Sequence, residues 1–220
     1  MNDYKLETPS SVSALYAALG EDAKTSRPAF TGDIYSSAQE GKFMLVQHPC
    51  ALRRGVALLP RLLAVAVKPT NGLPEDWSVG HFKMMPLPEL ETGNHGAYFG
   101  ELTLVTPDDV SGARRVAMLS HHGVNLLLQR WIYHNSRVVI PTLRYAEQTF
   151  GPFNEADLAQ DWVDDRVSLD LGSALSEFDA WLGEQPNGDG VTRRMMLGDL
   201  QSASMVRRDA RAQVRVLESE

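Results

Sequence analysis

Three groups of side chains in this chain have the types and spacing to do chemistry. The first is Cys50, the only cysteine, which has His48 two residues before it and Arg53 and Arg54 just after. A cysteine acts as nucleophile or metal ligand only as thiolate, which requires a nearby imidazole, cation or metal. On an extended strand, positions i and i+2 share a face, so His48 and Cys50 could address one site. The competing reading is a small apolar filler at the end of the strand-like run 43–50. No Cys-x-x-Cys or His-x-x-x-His spacing supplies further ligands, so no metal and no cofactor is expected.

The second group is His121 and His122. Adjacent residues on a helix diverge by about 100°, so the two cannot chelate one ion together, although either one suits a general base or an anion contact at a helix start. A solvated helix start is the reading that polar residues at such a position favour. The third group is Arg130, His134 and Arg137, which fall at i, i+4 and i+7 on a helix and would form a stripe for phosphate or another anion. An ion-pair network with Asp161, Asp164 and Asp165, or a plain solvated face, competes with that reading.

These groups need elements to carry them. Apolar segments at 43–46, 56–67, 79–85 and 99–105, separated by Gly and Pro loops, read as short strands. In the last of them Phe99, Glu101, Thr103 and Val105 alternate with Leu102 and Leu104. Ser120 stands where an N-cap should, ahead of Val124, Leu127, Leu128 and Trp131 at helical spacing. Further helices are expected after an Asn154 cap and along 173–182. A marginal amphipathic helix is expected over 191–220, where arginines interleave with carboxylates. Near the start, Ser10 or Ser11 would cap a helix carrying Leu15, Tyr16 and Leu19, ended by Gly20. Strands first and helices later predict an α+β fold: a small, mostly antiparallel SH3-like β-barrel with flanking and C-terminal helices. The segmentation read from this is a helical arm over 1–30, a core over 31–186 and a helical tail over 187–220.

At 220 residues, 43% hydrophobic and 22% charged, the chain has the composition of a folded globular protein. A net charge of -7 argues against coating nucleic acid with the whole surface, so any polyanion site must be local. The first residues lack a secretory signal, and one cysteine cannot form an internal disulfide, which predicts a cytoplasmic protein. The longest apolar run, 56–67, is broken by Pro60 and Arg61 and is too short to span a bilayer, so no membrane association is expected. There is no P-loop, no Rossmann glycine pattern and no Gly-x-Ser-x-Gly elbow, which disfavours nucleotide hydrolysis and serine-hydrolase chemistry.

Two separated signatures stand out: Gly32-Asp33-Ile34 with the run to Cys50, and Arg115-Val116-Ala117-Met118-Leu119-Ser120 with Arg130, Arg137, Val138 and Pro141. In this order and spacing the chain resembles a largely uncharacterised bacterial family with a Gly-Asp-Ile opening, an apolar strand ending in Cys, an Arg-apolar-Ala-x-Leu-Ser helix entry and an Arg-Val-x-x-Pro exit. Cys50 is followed by Ala51, where that group usually carries an acid. The resemblance implies a cytosolic component of defence or mobile-element gene clusters. A fainter similarity is to toxins of the MazF and PemK type, small SH3-like barrels that cut RNA. It is limited to the Gly-Asp-Ile strand, because Arg27-Pro28 lies before Gly32 and not after the first loop.

No complete catalytic set assembles from the sequence. The expectation is therefore a non-catalytic interaction module or accessory subunit, with protein subunits encoded nearby, or a second copy of the chain, as partners. The alternative is a nucleic-acid-binding or ribonuclease-like protein using Arg130, His134 and Arg137. A Cys50-dependent enzyme, with His48 beside the thiol, is the third option, whereas His121 or His122 would serve the nucleic-acid reading.

Overall fold

The computed structural model describes residues 5–73, 75–78 and 82–219. The chain is an α+β protein, with a seven-stranded antiparallel sheet curled into a nearly closed barrel and several helices around and after it. In chain order the elements begin with α1 (Val12–Leu15), β1 (Tyr16–Leu19), β2 (Ile34–Ser37) and β3 (Gly41–Leu45). A two-stranded ribbon of β4 (Arg53–Arg54) and β5 (Ala57–Leu58) follows, then β6 (Leu62–Pro69), β7 (Met84–Leu90) and β8 (Gly93–Val105). Next come α2 (Pro107–Ser111), β9 (Arg114–Leu119), α3 (His121–Ser136), α4 (Thr142–Asp165), α5 (Leu171–Gly183), α6 (Arg193–Met196) and α7 (Leu200–Leu217). The large sheet runs β1-β9-β2-β3-β6-β8-β7.

By internal contacts the chain divides into two compact units. The first comprises Met1–Lys24, Ala29–Leu52 and Leu58–Ala146; the second comprises Thr25–Pro28, Arg53–Ala57 and Glu147–Glu220. This division cuts across the sequence segmentation. Ser11 caps only one turn of helix, its Oγ accepting from Ala14 N, and the chain then becomes β1, paired with β9 through Tyr16 and Leu119. Within the expected arm, Tyr16–Leu19 is thus a strand of the barrel, because Tyr16 and Leu15 find a sheet to bury against and a lone helix would not have supplied one.

The barrel core collects Tyr35, Phe43, Leu45, Leu52, Leu62, Ala64, Val105 and Val110. Alternation along β8 decides which side faces in. Phe99 and Val105 are buried, while Leu102 and Leu104 stay 52% and 58% exposed. The run 56–67 splits at Pro60, with β5 before it and β6 after. The strand expected over 79–85 lies partly outside the described residues, and β7 begins at Met84.

Ser120 caps α3 as its spacing requires, its Oγ accepting from Gly123 N at 3.0 Å and donating to Ala14 O at 2.6 Å. α4 starts earlier than the sequence suggests. Its first turn is held by the Glu7 carboxylate, which accepts from Thr142 N at 2.8 Å and from Thr142 Oγ1 at 2.6 Å, a negative group at the positive end of the helix. Asn154 is therefore interior, its side chain donating to Phe150 O, and is not a cap.

In the second unit, α4, α5, α6 and α7 enclose their own core. Trp162 packs on Trp181 with ring centroids 5.1 Å apart, among Leu158, Phe178, Leu182, Leu197, Val206 and Val214. Arg166 closes that core's edge by pairing with Glu177 at 2.8 Å and with Glu218.

Candidate functional site

The two signatures meet in space. Gly32 N donates to Leu45 O at 2.8 Å and Leu45 N to Asp33 O at 3.1 Å, which joins the Gly-Asp-Ile turn to β3. β2 pairs with β9 through Ile34 with Ala117 and Tyr35 with Arg115. Gly32 has φ +83°, and a Cβ there would lie 2.8 Å from Leu119 Cδ1, so both conformation and space call for glycine. Asp33 Oδ2 accepts from Phe30 N at 2.9 Å and lies 3.3 Å from Arg115 Nε, which also donates to Tyr35 Oη at 3.2 Å.

Burial works against the Arg115 charge, but Asp33 and Tyr35 outweigh it and hold its pKa above the usual value. Burial, helped by Asp33, pushes the Tyr35 phenol up. Asp33 is 1% exposed and Tyr35 2%. This network is a clasp inside the barrel wall, closed to a substrate.

Of the catalytic candidates, His48 and Cys50 share one turn, and His121 begins α3. Cys50 is exposed on a 3₁₀ turn over Pro49–Ala51, so it is not the buried filler that its apolar context suggests. The run 43–50 leaves the sheet after Leu45, and the thiol therefore never enters the core. His48 Nδ1 accepts from Cys50 N at 3.3 Å, capping the turn, and burial holds its pKa below the usual value. His121 and His122 begin α3 and, with Asn125, Thr142, Leu143 and Ala146, line a hollow of about 250 Å³. Burial first, and the charge of His122 second, lower the His121 pKa. Among the described residues, no group of three or more His, Cys, Asp or Glu side chains could hold a metal ion. No described helix is long and apolar enough to cross a membrane.

The expected anion stripe on α3 is split. Arg130 is 1% exposed, with Nη2 donating to Trp77 O at 2.9 Å and Glu7 O at 3.2 Å and its guanidinium over the Trp77 ring. Burial pushes its pKa down to about 10. Asp161, one of the acids suggested as its partner, pairs instead with Arg207. His134 supports a wall, its Nδ1 lying 3.0 Å from Phe82 O and its ring against Phe99 and Trp131. Because a carbonyl only accepts, Nδ1 carries the proton in that bond. Only Arg137 of the three reaches an open site.

That site is a cleft of about 500 Å³ lined by Phe82, Lys83, Met84, Tyr98, Tyr133 and Arg137. Register builds one wall, since Met84 on β7 pairs with Tyr98 on β8. The C-terminal turn of α3 builds the other, with Tyr133 packed on Phe82 at 5.4 Å between ring centroids. Arg137 caps α3 in the left-handed conformation, φ +61°, and lays its guanidinium 5.7 Å from the Tyr133 ring centroid. Such a cleft can hold a ring against aromatic faces and an anion beside two cations. Sequence reasoning found Arg137 and missed the rest. Tyr133 and Arg137 at i and i+4 were a readable signal, whereas Met84 and Tyr98 meet only through strand register.

No family model, no curated protein and no solved structure matches this chain.

Proposed function

We propose that the protein is a non-catalytic binding module, an accessory subunit of a bacterial multi-protein system, and that the cleft between the start of β7 and the end of α3 is its recognition site. The observation that supports this is the cleft itself: three aromatic rings and a methionine under two cations, within the size range of ligand pockets. Cys50, His48 and His121 are not among the described lining residues of the cleft, and His48 is engaged as a cap on the Cys50 backbone.

A chemically diverse panel of small molecules, read by thermal shift on the wild-type chain and on Tyr133→Ala, tests this reading. Compounds should stabilise the wild type only, and should be recovered unchanged. Recovery of a binder as a reaction product would rule out the non-catalytic part. Complete silence of the panel with a folded protein would remove the cleft as a recognition site.

A second reading, single-stranded nucleic-acid binding, draws on the same pairing of rings with Arg137 and Lys83, because such binders stack bases on aromatic side chains along a basic groove. Salt-sensitive RNA binding that Arg137→Ala abolishes would favour it.

A further inference from the structure

We infer that the cleft takes a small aromatic anion, an aryl carboxylate, sulfonate or phosphate, and that Arg137 is its anchor. The inference rests on reading the cleft as the binding site and adds to it the chemical class of the ligand.

The first argument is charge. Among the described lining residues two are cationic and none is acidic. Most arginines with a structural role here sit on a carboxylate: Arg115 on Asp33, Arg166 on Glu177, Arg193 on Glu184, Arg194 on Glu155. Among the described residues Arg137 and Lys83 have no such partner, in a chain whose net charge is -7. Two uncompensated cations on one apolar mouth make a local field that favours an anion over a neutral or cationic guest.

The second argument is shape. Phe82, Tyr98 and Tyr133 with the Met84 thioether present ring faces and a polarisable sulfur, the surroundings that planar aromatic groups prefer. The volume of about 500 Å³ admits one or two fused rings with an acid group and is bounded at that scale.

The third argument is the backbone. A helix C-cap in the left-handed region is ordinarily Gly or Asn, because a Cβ there crowds the carbonyl oxygen, which glycine avoids and asparagine offsets with a local hydrogen bond. Arginine at φ +61° is a strained choice, and its side chain leads back over the Tyr133 ring at the cleft mouth. Strain of this kind persists where the side chain serves a purpose that glycine cannot.

The test is calorimetric titration of the whole chain with 2-naphthoate, with its neutral isostere 2-naphthylmethanol, with adenosine 5′-monophosphate and with a uridine oligonucleotide. Naphthoate should bind, added salt should weaken it, and the neutral isostere should bind at least about tenfold more weakly. Arg137→Gly and Arg137→Asn both suit the left-handed cap and should therefore fold at least as stably as the wild type while losing naphthoate affinity. Equal affinity for naphthylmethanol, or full naphthoate affinity in both variants, would overturn the anion inference; loss of that binding in Tyr133→Ala would then leave the cleft reading intact. Binding of the oligonucleotide alone would overturn the small-ligand inference in favour of the nucleic-acid reading. No binding by any of the four at millimolar concentration would overturn the inference, whereas the cleft reading is judged separately by the broader panel.

Discussion

Tyr16 on β1 donates its phenolic hydrogen to the carbonyl oxygen of Pro88 on β7 at 2.8 Å, and so ties the first strand of the sheet order to the last. One side-chain bond thereby spans the gap between the two strands that the ladder of the nearly closed barrel leaves unpaired. Tyr16 is buried along its ring, and burial, reinforced by Glu89, pushes the phenol up.

Tyr16→Phe should lower stability by about 1 kcal/mol in urea unfolding, the usual net worth of one hydrogen bond. The pH dependence has a defined sign. The folded phenol titrates above the unfolded value of about 10, so its contribution is full below that pH and is lost as pH rises toward the folded value. Wild type should therefore lose stability above about pH 10 more steeply than Tyr16→Phe, and equal slopes would count against the assignment.

Asp33→Ala leaves the Arg115 guanidinium buried beside Tyr35 without its carboxylate. A loss of about 3–5 kcal/mol is expected by chemical denaturation, the cost of breaking one side of a buried pair. A loss under about 1 kcal/mol would show that the clasp is solvated.

Gly123→Ala tests the packing of α3 on the segment before β1. A Cβ at Gly123 would collide with the carbonyl oxygen of Leu15, which is backbone and cannot swing away. Despite the better helix propensity of alanine, the melting temperature should fall, by the equivalent of about 1–3 kcal/mol.

Arg130 sits inside the barrel unit on two backbone carbonyls and a tryptophan face, without a carboxylate in contact among the described residues. Its pKa, lowered to about 10, means that the fold works against its charge below that pH and is relieved as pH rises toward the unfolded arginine value. Arg130→Met, of similar length and apolar, should therefore be as stable as the wild type or more stable at pH 7. A loss above about 2 kcal/mol would mean that the carbonyl bonds outweigh the burial.

Cys50, being exposed, should react with a thiol-specific disulfide reagent in the native state, in one equivalent and without denaturant. Cys50→Ser should keep both stability and naphthoate binding. Protection of the thiol until unfolding would contradict its position on the outer turn.

Local chemistry carried much of this architecture in readable form. The Ser120 cap, the apolar spacing of α3, the break at Pro60 and the alternation of Phe99 and Val105 with Leu102 and Leu104 are each settled within a few residues, by hydrogen bonding, proline geometry and side-chain periodicity. The α+β class follows from those elements in order. Tyr16 could not be placed that way, because helix and strand are nearly equal choices for a short apolar stretch and only a partner such as β9 separates them. Arg130 and Arg137 make the same point: helical spacing put them on a common stripe, yet one is sealed under Trp77 and the other opens on a cleft. Spacing along a helix assigns faces, but what each face meets is decided by strands more than 30 residues away, through register that no local pattern encodes.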